Sequence, residues 1–217
     1  MHLTHVGHAC LLVEIGGARV LIDPGAFTRG FEELTGLDAV LITHTHLDHY
    51  DAERLPALLE ANDGARLIAE PELAVEMNRV GIDAAGLHRG ESVTIGGLTV
   101  TATGGEHALI HDEIARIGNV GLLLAAEGEP TLFHPGDCYQ AVPADVDVLA
   151  VPLSAPWATL RDTVEFVRAV APRLAVPIHD ALLSPTGRGV YLRNLGLLAP
   201  EKTELRDLAG AGPVEFG

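Results

Sequence analysis

Apolar residues in this chain fall mostly in short runs punctuated by glycine, proline and aspartate, the pattern of strands with tight connections. After a strand-like opening, Leu11–Ile15 and Arg19–Ile22 predict a hairpin turning at Gly16-Gly17, a pair that tolerates positive φ. Asp23-Pro24 closes its second strand. Leu37–Thr43 reads as a buried strand, and Asp51 is placed to N-cap a helix running to about Ala61. A strand near Leu67–Ala69 and a helix around Glu72–Val80 follow.

Near residue 93 the pattern restarts. Ser92–Ile95 and Leu98–Thr103 predict a second hairpin, again turning at Gly-Gly, which opens onto Gly104-Gly105-Glu106-His107. Val120–Ala126 and Thr131–His134 predict a third, ending at Gly136-Asp137. Val146–Val151 reads as another buried strand, Thr159–Ala171 as an amphipathic helix, and Leu174–Ile178 as a strand ending at His179. The echo of Ile15-Gly16-Gly17 in Ile95-Gly96-Gly97 hints at two similar halves.

At 217 residues, 47% hydrophobic and 20% charged, the chain is long enough for one α/β domain, residues 1–217, with a substantial core. Lys and Arg number 14 against 30 Asp and Glu, a formal charge of −16, so no basic footprint for nucleic acid is present. Cys10 and Cys138 are too few for a disulfide framework. No apolar stretch reaches the roughly 18 residues of a membrane helix, and Met1 precedes strand-like sequence rather than a leader. The expectation is a cytoplasmic protein acting on a small molecule, with no nucleic-acid or membrane partner; a homo-oligomer stays open.

The run His44-Thr45-His46-Leu47-Asp48-His49 sets three imidazoles and a carboxylate directly after a buried strand. Packing does not account for that density. Imidazole suits zinc, iron, nickel and manganese, and a carboxylate adds the negative charge a hydrolytic divalent ion needs. His107, Asp137 and His179 each fall just past the C-terminal end of an expected strand, as His44 does. Sites in layered α/β folds gather at such ends, so scattered donors would share one location.

Together these residues resemble the metallo-β-lactamase fold superfamily, whose motif is His-x-His-x-Asp-His followed by a His, an Asp and a His. The resemblance spans essentially the whole chain. It implies an α/β fold, a four-layer αββα sandwich of two mixed β-sheets flanked by helices. It also implies two divalent metal ions, zinc first, with manganese, nickel or iron as alternatives. His44, His46 and His107 would hold one ion; Asp48, His49 and His179 the other; Asp137 would bridge them. A hydroxide between the ions would attack an ester-like carbon or phosphorus. Asp23 matches a position that supports a ligating imidazole from behind.

The start His5-Val6-Gly7-His8-Ala9 and the stretch from Gly104 to His111 are similar to the small branch containing the ascorbate-6-phosphate lactonases. His8 then reads as a substrate contact or proton donor, or else as a half-buried strand histidine. His111 is a candidate for the same mouth or for a surface loop. His134 is expected to buttress the site, and Trp157 to wall a substrate pocket. No cluster of Lys and Arg announces a phosphate pocket; Arg29, Arg116, Arg188 and Arg193 are scattered loop candidates. The phosphorylated lactone is therefore not carried over.

The leading expectation is a metal-dependent hydrolase of a small ester, lactone, amide or phosphoester, with Asp48 or Asp137 passing the proton to the leaving group. A phosphodiesterase or nuclease on the same binuclear site is the alternative, and the acidity counts against it. A third reading is an iron-dependent redox protein of the same fold. Such diiron oxidoreductases usually carry Glu at the second motif position, where this chain has His46. A non-enzymatic metal-binding module is the fourth.

Overall fold

A computed structural model describes all residues, 1–217. The first part of the chain builds β1 (His2–Gly7), β2 (Cys10–Ile15), β3 (Ala18–Ile22) and β4 (Ala39–Ile42). Next come α1 (Leu55–Ala61), β5 (Arg66–Ala69), α2 (Pro71–Arg79) and the short β6 (Ala85–Gly86). The second part builds β7 (Ser92–Ile95), β8 (Leu98–Glu106), β9 (Gly118–Ala125), β10 (Leu132–His134) and β11 (Val148–Pro152). It continues through α3 (Leu160–Val170), β12 (Leu174–Ile178), α4 (Pro185–Leu198) and β13 (Glu204–Leu205). A last strand, β14 (Val214–Glu215), returns to the edge of the first sheet against β1.

The strand orders are β14-β1-β2-β3-β4-β5-β6 and β13-β12-β11-β10-β9-β8-β7. In each sheet a set of antiparallel pairings leads into a parallel set, the change falling at β3 in one and β10 in the other. The repeat hinted at by the Gly-Gly turns is therefore a repeat of strand pairing. The two turns also touch: Gly97 N–H donates to Gly16 O at 2.9 Å. A Cβ on Gly16 would lie 2.7 Å from the Gly97 carbonyl carbon, so the approach requires glycine.

Strand periodicity explains the layers. In β4, Ala39 and Leu41 enter the core between the sheets, while Val40 and Ile42 face outward. There they pack with Leu55 and Leu58 of α1 and with Leu73, Ala74 and Met77 of α2. β11 repeats the arrangement, with Val148 and Ala150 inward and Leu149 and Val151 against Val164 and Val167 of α3. Strands covered on both faces need to be apolar throughout, and β4, β11 and β12 are. The result is an α/β sandwich of two mixed sheets with helices outside.

Two details depart from the sequence reading. α1 begins at Leu55 rather than next to Asp51, because Asp51 Oδ1 accepts from the Glu53 and Arg54 N–H groups and closes a turn first. α4 is a helix that periodicity does not reveal, since Gly187, Gly189 and Gly196 all lower its propensity. Its start is nonetheless marked: Ser184 Oγ accepts from Gly187 N–H, and Pro185 occupies the first turn. No helix is long and apolar enough to cross a membrane.

Candidate metal centre

β4 hands over at Ile42 to a tight loop in which His49 and Tyr50 N–H groups both donate to His46 O at 2.9 Å. The fold of that loop brings the motif rings together, His44 lying 4.9 Å from His46 and 4.1 Å from His49 between centroids. Gly25 backs the loop so closely that any Cβ there would collide with Asp48 O. His107, past the end of β8, lies 5.0 Å from His44, and His179, past β12, lies 5.3 Å from His49. Asp137 sits between these sets. Its Oδ1 is 3.1 Å from His49 Nε2, and its Oδ2 is 3.3 Å from His179 Nε2 and 3.5 Å from His107 Nε2.

Two donor groups result, His44, His46, His107 and Asp137 in one and His8, Asp48, His49 and His179 in the other. Within each, the ligand atoms all lie within 4.8 Å of one another.

Hydrogen bonds behind the rings settle which nitrogen faces inward. Thr43 Oγ1 donates to Asp23 Oδ2, so it accepts from His44 Nδ1–H at 2.9 Å. His49 Nδ1–H donates to Asp23 Oδ2 at 2.7 Å, His107 Nδ1–H to Ala108 O at 2.6 Å, and His179 Nδ1–H to Ser154 O at 2.8 Å. Each of the four imidazoles therefore turns Nε2 toward the common centre. All four Nε2 atoms are buried and have no hydrogen-bond partner, as is Asp137 Oδ1. Buried polar atoms are rarely left so, and five converging ones fit metal binding.

His8 is the exception. Ala181 N–H donates to its Nδ1 at 3.2 Å, so the ring proton sits on Nε2 and is given to Asp48 Oδ2 at 3.0 Å. With no inward lone pair, His8 is not a ligand, although it stands within the second donor group. Its side chain is fully buried, with Nε2–H turned to Asp48 rather than to open solvent. His134 is likewise satisfied, accepting from Gly136 N–H and donating to Ala9 O. It braces the turn that carries Asp137.

Asn119, which the sequence reading passed over, holds the same turn by accepting from Asp137 N–H at 2.9 Å. A lone buried Asn opening an apolar strand was its one visible signal. Non-glycine residues with left-handed φ cluster here, at His8 (47°), Asp23 (49°) and His179 (57°). Such strain costs of order 1–3 kcal/mol per residue and gathers at functional sites.

Burial pushes His44 well below the ordinary histidine range and lowers His46 and His8 too. Burial opposes ionisation of Asp48, but the nearby His179 ring, 3.3 Å away, and the hydrogen bond from His8 outweigh it and hold the carboxyl well below its usual range. Asp137 is held down in the same way, burial being overcome by the charges of His49 and His179. In return, Asp137 and Asp48 overcome the burial of His179 and push it up to about 9, while Asp137 and Asp23 raise His49.

Above the donors lies a cleft of about 220 Å³, walled in part by Phe27, Leu47 and Trp157. Trp157 also donates Nε1–H to Asp137 Oδ2 at 2.7 Å. His111 is not there: it is exposed, and its Nδ1 accepts from Glu113 N–H within a surface turn.

Residues 2–179 match the family model described as the beta-lactamase superfamily domain. Protein Rv0786c of Mycobacterium tuberculosis is 47% identical over 196 residues, covering 90% of this chain and 91% of its own. A UPF0173 metal-dependent hydrolase of Methanosphaerula palustris is 35% identical over 142 residues, 63% of this chain and 60% of that one. Among solved structures, Igni18, a metallo hydrolase of Ignicoccus hospitalis, superposes with a TM-score of 0.71 at 20% identity, covering 100% of this chain and 99% of that one. With strand-end histidines and aspartates meeting between two mixed sheets, and a family match over most of its length, the chain belongs to the metallo-β-lactamase superfamily.

Proposed function

We propose that the two donor groups hold two divalent cations and that the protein hydrolyses a small ester, lactone, amide or phosphoester. The chain is a metal-dependent hydrolase, the activity its UPF0173 relatives are named for. One observation carries the binuclear reading: four imidazoles donate outward through Nδ1 and leave unpartnered, buried Nε2 atoms around Asp137. His44, His46 and His107 would hold one cation and Asp48, His49 and His179 the other, with Asp137 between. Such a pair supplies Lewis acidity and a nucleophilic water at neutral pH, zinc being the first candidate.

The chain's own groups do the rest. Trp157 Nε1–H fixes one oxygen of Asp137, and His8 fixes one oxygen of Asp48. Asp137 is almost fully enclosed, whereas the Asp48 side chain keeps 17% exposure. Asp48 is thus the carboxylate placed to take a proton and return it to the leaving group. The nuclease alternative would need a basic surface, and a net charge of −16 opposes one.

Metal analysis and turnover test this together. The protein should bind two equivalents of divalent metal, and His107→Ala and Asp48→Ala should each lower metal content. Each should also cut hydrolysis of a generic ester or phosphodiester by roughly 10²-fold or more while circular dichroism is unchanged. Undiminished turnover in either variant, or cleavage of RNA in preference to small substrates, would overturn the reading.

A further inference from the structure

Resting on the hydrolase reading, we infer that the cleft over the donors takes an uncharged ester or lactone bearing a short apolar substituent, with no anionic group away from the scissile bond. Its walls are Phe27, Leu47, Ile110, Pro156, Trp157 and Leu182. Three of these are large apolar side chains left open to solvent: Phe27 at 39%, Leu47 at 60% and Leu182 at 60%. One such side chain alone means nothing, but several converging on one opening form a surface suited to an apolar group. The polar atoms of the cleft come from the donor cluster itself, namely His46, Asp48, His107, Asp137 and His179.

No lysine or arginine lines the cleft. Two arginines bonded at or next to its lining residues His107 and His179 are committed elsewhere. Arg116 donates Nε and Nη2 to His107 O and pairs with Glu106. Arg188 donates Nε to Asp180 and both Nη groups to Asp207. A phosphate or carboxylate held away from the reacting carbon would be desolvated with no cationic side chain as partner, against a chain of charge −16. Size sets the other limit: about 220 Å³ falls below the roughly 300–1,000 Å³ of pockets for drug-sized ligands. The larger groove along α2, about 600 Å³ beside Glu72, Glu76 and Arg79, reaches none of the donors. In the reaction, water adds across the acyl C–O bond. Its oxygen stays on the acyl carbon as the acid, and the alkoxy oxygen leaves with a proton, remaining tethered if the substrate is a lactone.

Trp157 is the chain's single tryptophan, so its fluorescence reports the cleft without turnover. Metal-loaded protein titrated with 2-alkanones, hydrolysis-resistant isosteres of esters, should bind about 4-fold tighter per added methylene until the cleft is full. A ketone ending in sulfonate, an anion that ligates divalent cations weakly, should bind at least about 10-fold more weakly than its uncharged match. Leu182→Lys, at the rim, should narrow that gap. Equal affinity along the series, or tighter binding of the sulfonate ketone, overturns the inference. Turnover of amides or phosphodiesters with no chain-length trend overturns it while leaving the hydrolase reading standing. The ketone trend without turnover of any ester, amide or phosphodiester overturns the hydrolase reading instead.

Discussion

His8 and His179 lie side by side, 4.1 Å between ring centroids and tilted by 47°, yet they carry opposite tautomers. A carbonyl behind His179 makes its outer nitrogen a donor; an amide N–H behind His8 makes the outer nitrogen an acceptor. In the proposed site that single difference would make one ring a ligand and its neighbour a positioning residue for Asp48. His8→Ala should therefore weaken binding of the second metal equivalent by about 10–100-fold, and His8→Gln, whose amide can still donate to Asp48, should restore most of it. Calorimetric metal titration reads both, and equal losses in the two variants would deny the orienting role. The motif histidines were legible in sequence because their spacing is local. The role of His8 was not, since it depends on an amide 173 residues away.

Among elements, strands were easier to read than helices. β2, β3 and β12 follow from apolar runs closed by Gly-Gly, Asp-Pro or a histidine, and the ends of β8, β10 and β12 brought His107, Asp137 and His179 into view. α4 stayed hidden because its glycines mask the period, and β6, β13 and β14, two residues each, carry no pattern. α3 is the converse. Thr159 Oγ1 and the Asp162 carboxylate satisfy one another's backbone N–H groups in a capping box. Thr159→Ala should cost about 1 kcal/mol, lowering Tm by about 2–4 °C in a chain of this length, with metal content unchanged. A melting curve identical to the parent's would show that the cap contributes nothing.

Across the whole molecule, charge is the dominant surplus, and few cations offset it. Arg188 is one that matters, joining α4 to the C-terminal segment through Asp207 at 2.7 Å on both nitrogens. Those hydrogen bonds lower the Asp207 pKa below its ordinary 3.8. A depressed carboxylate stabilises above its unfolded pKa and loses that contribution as pH falls through the folded value. Because Asp207 is partly exposed, the pair contributes about 0.5–1 kcal/mol at neutral pH. Asp207→Asn should lower Tm by about 1–3 °C there. The two melting curves should merge as the pH drops below 3.8, and a gap that persists would contradict the assignment.

The donors are shared between the two sheets. His44, His46, Asp48 and His49 follow β4 of one, and His107, Asp137 and His179 follow strands of the other. Neither layer supplies all the donors, so cations seated there would act as rivets across the seam. Ion uptake then reports that the halves have docked in register, and a chain whose layers had slipped by one residue would be unable to load.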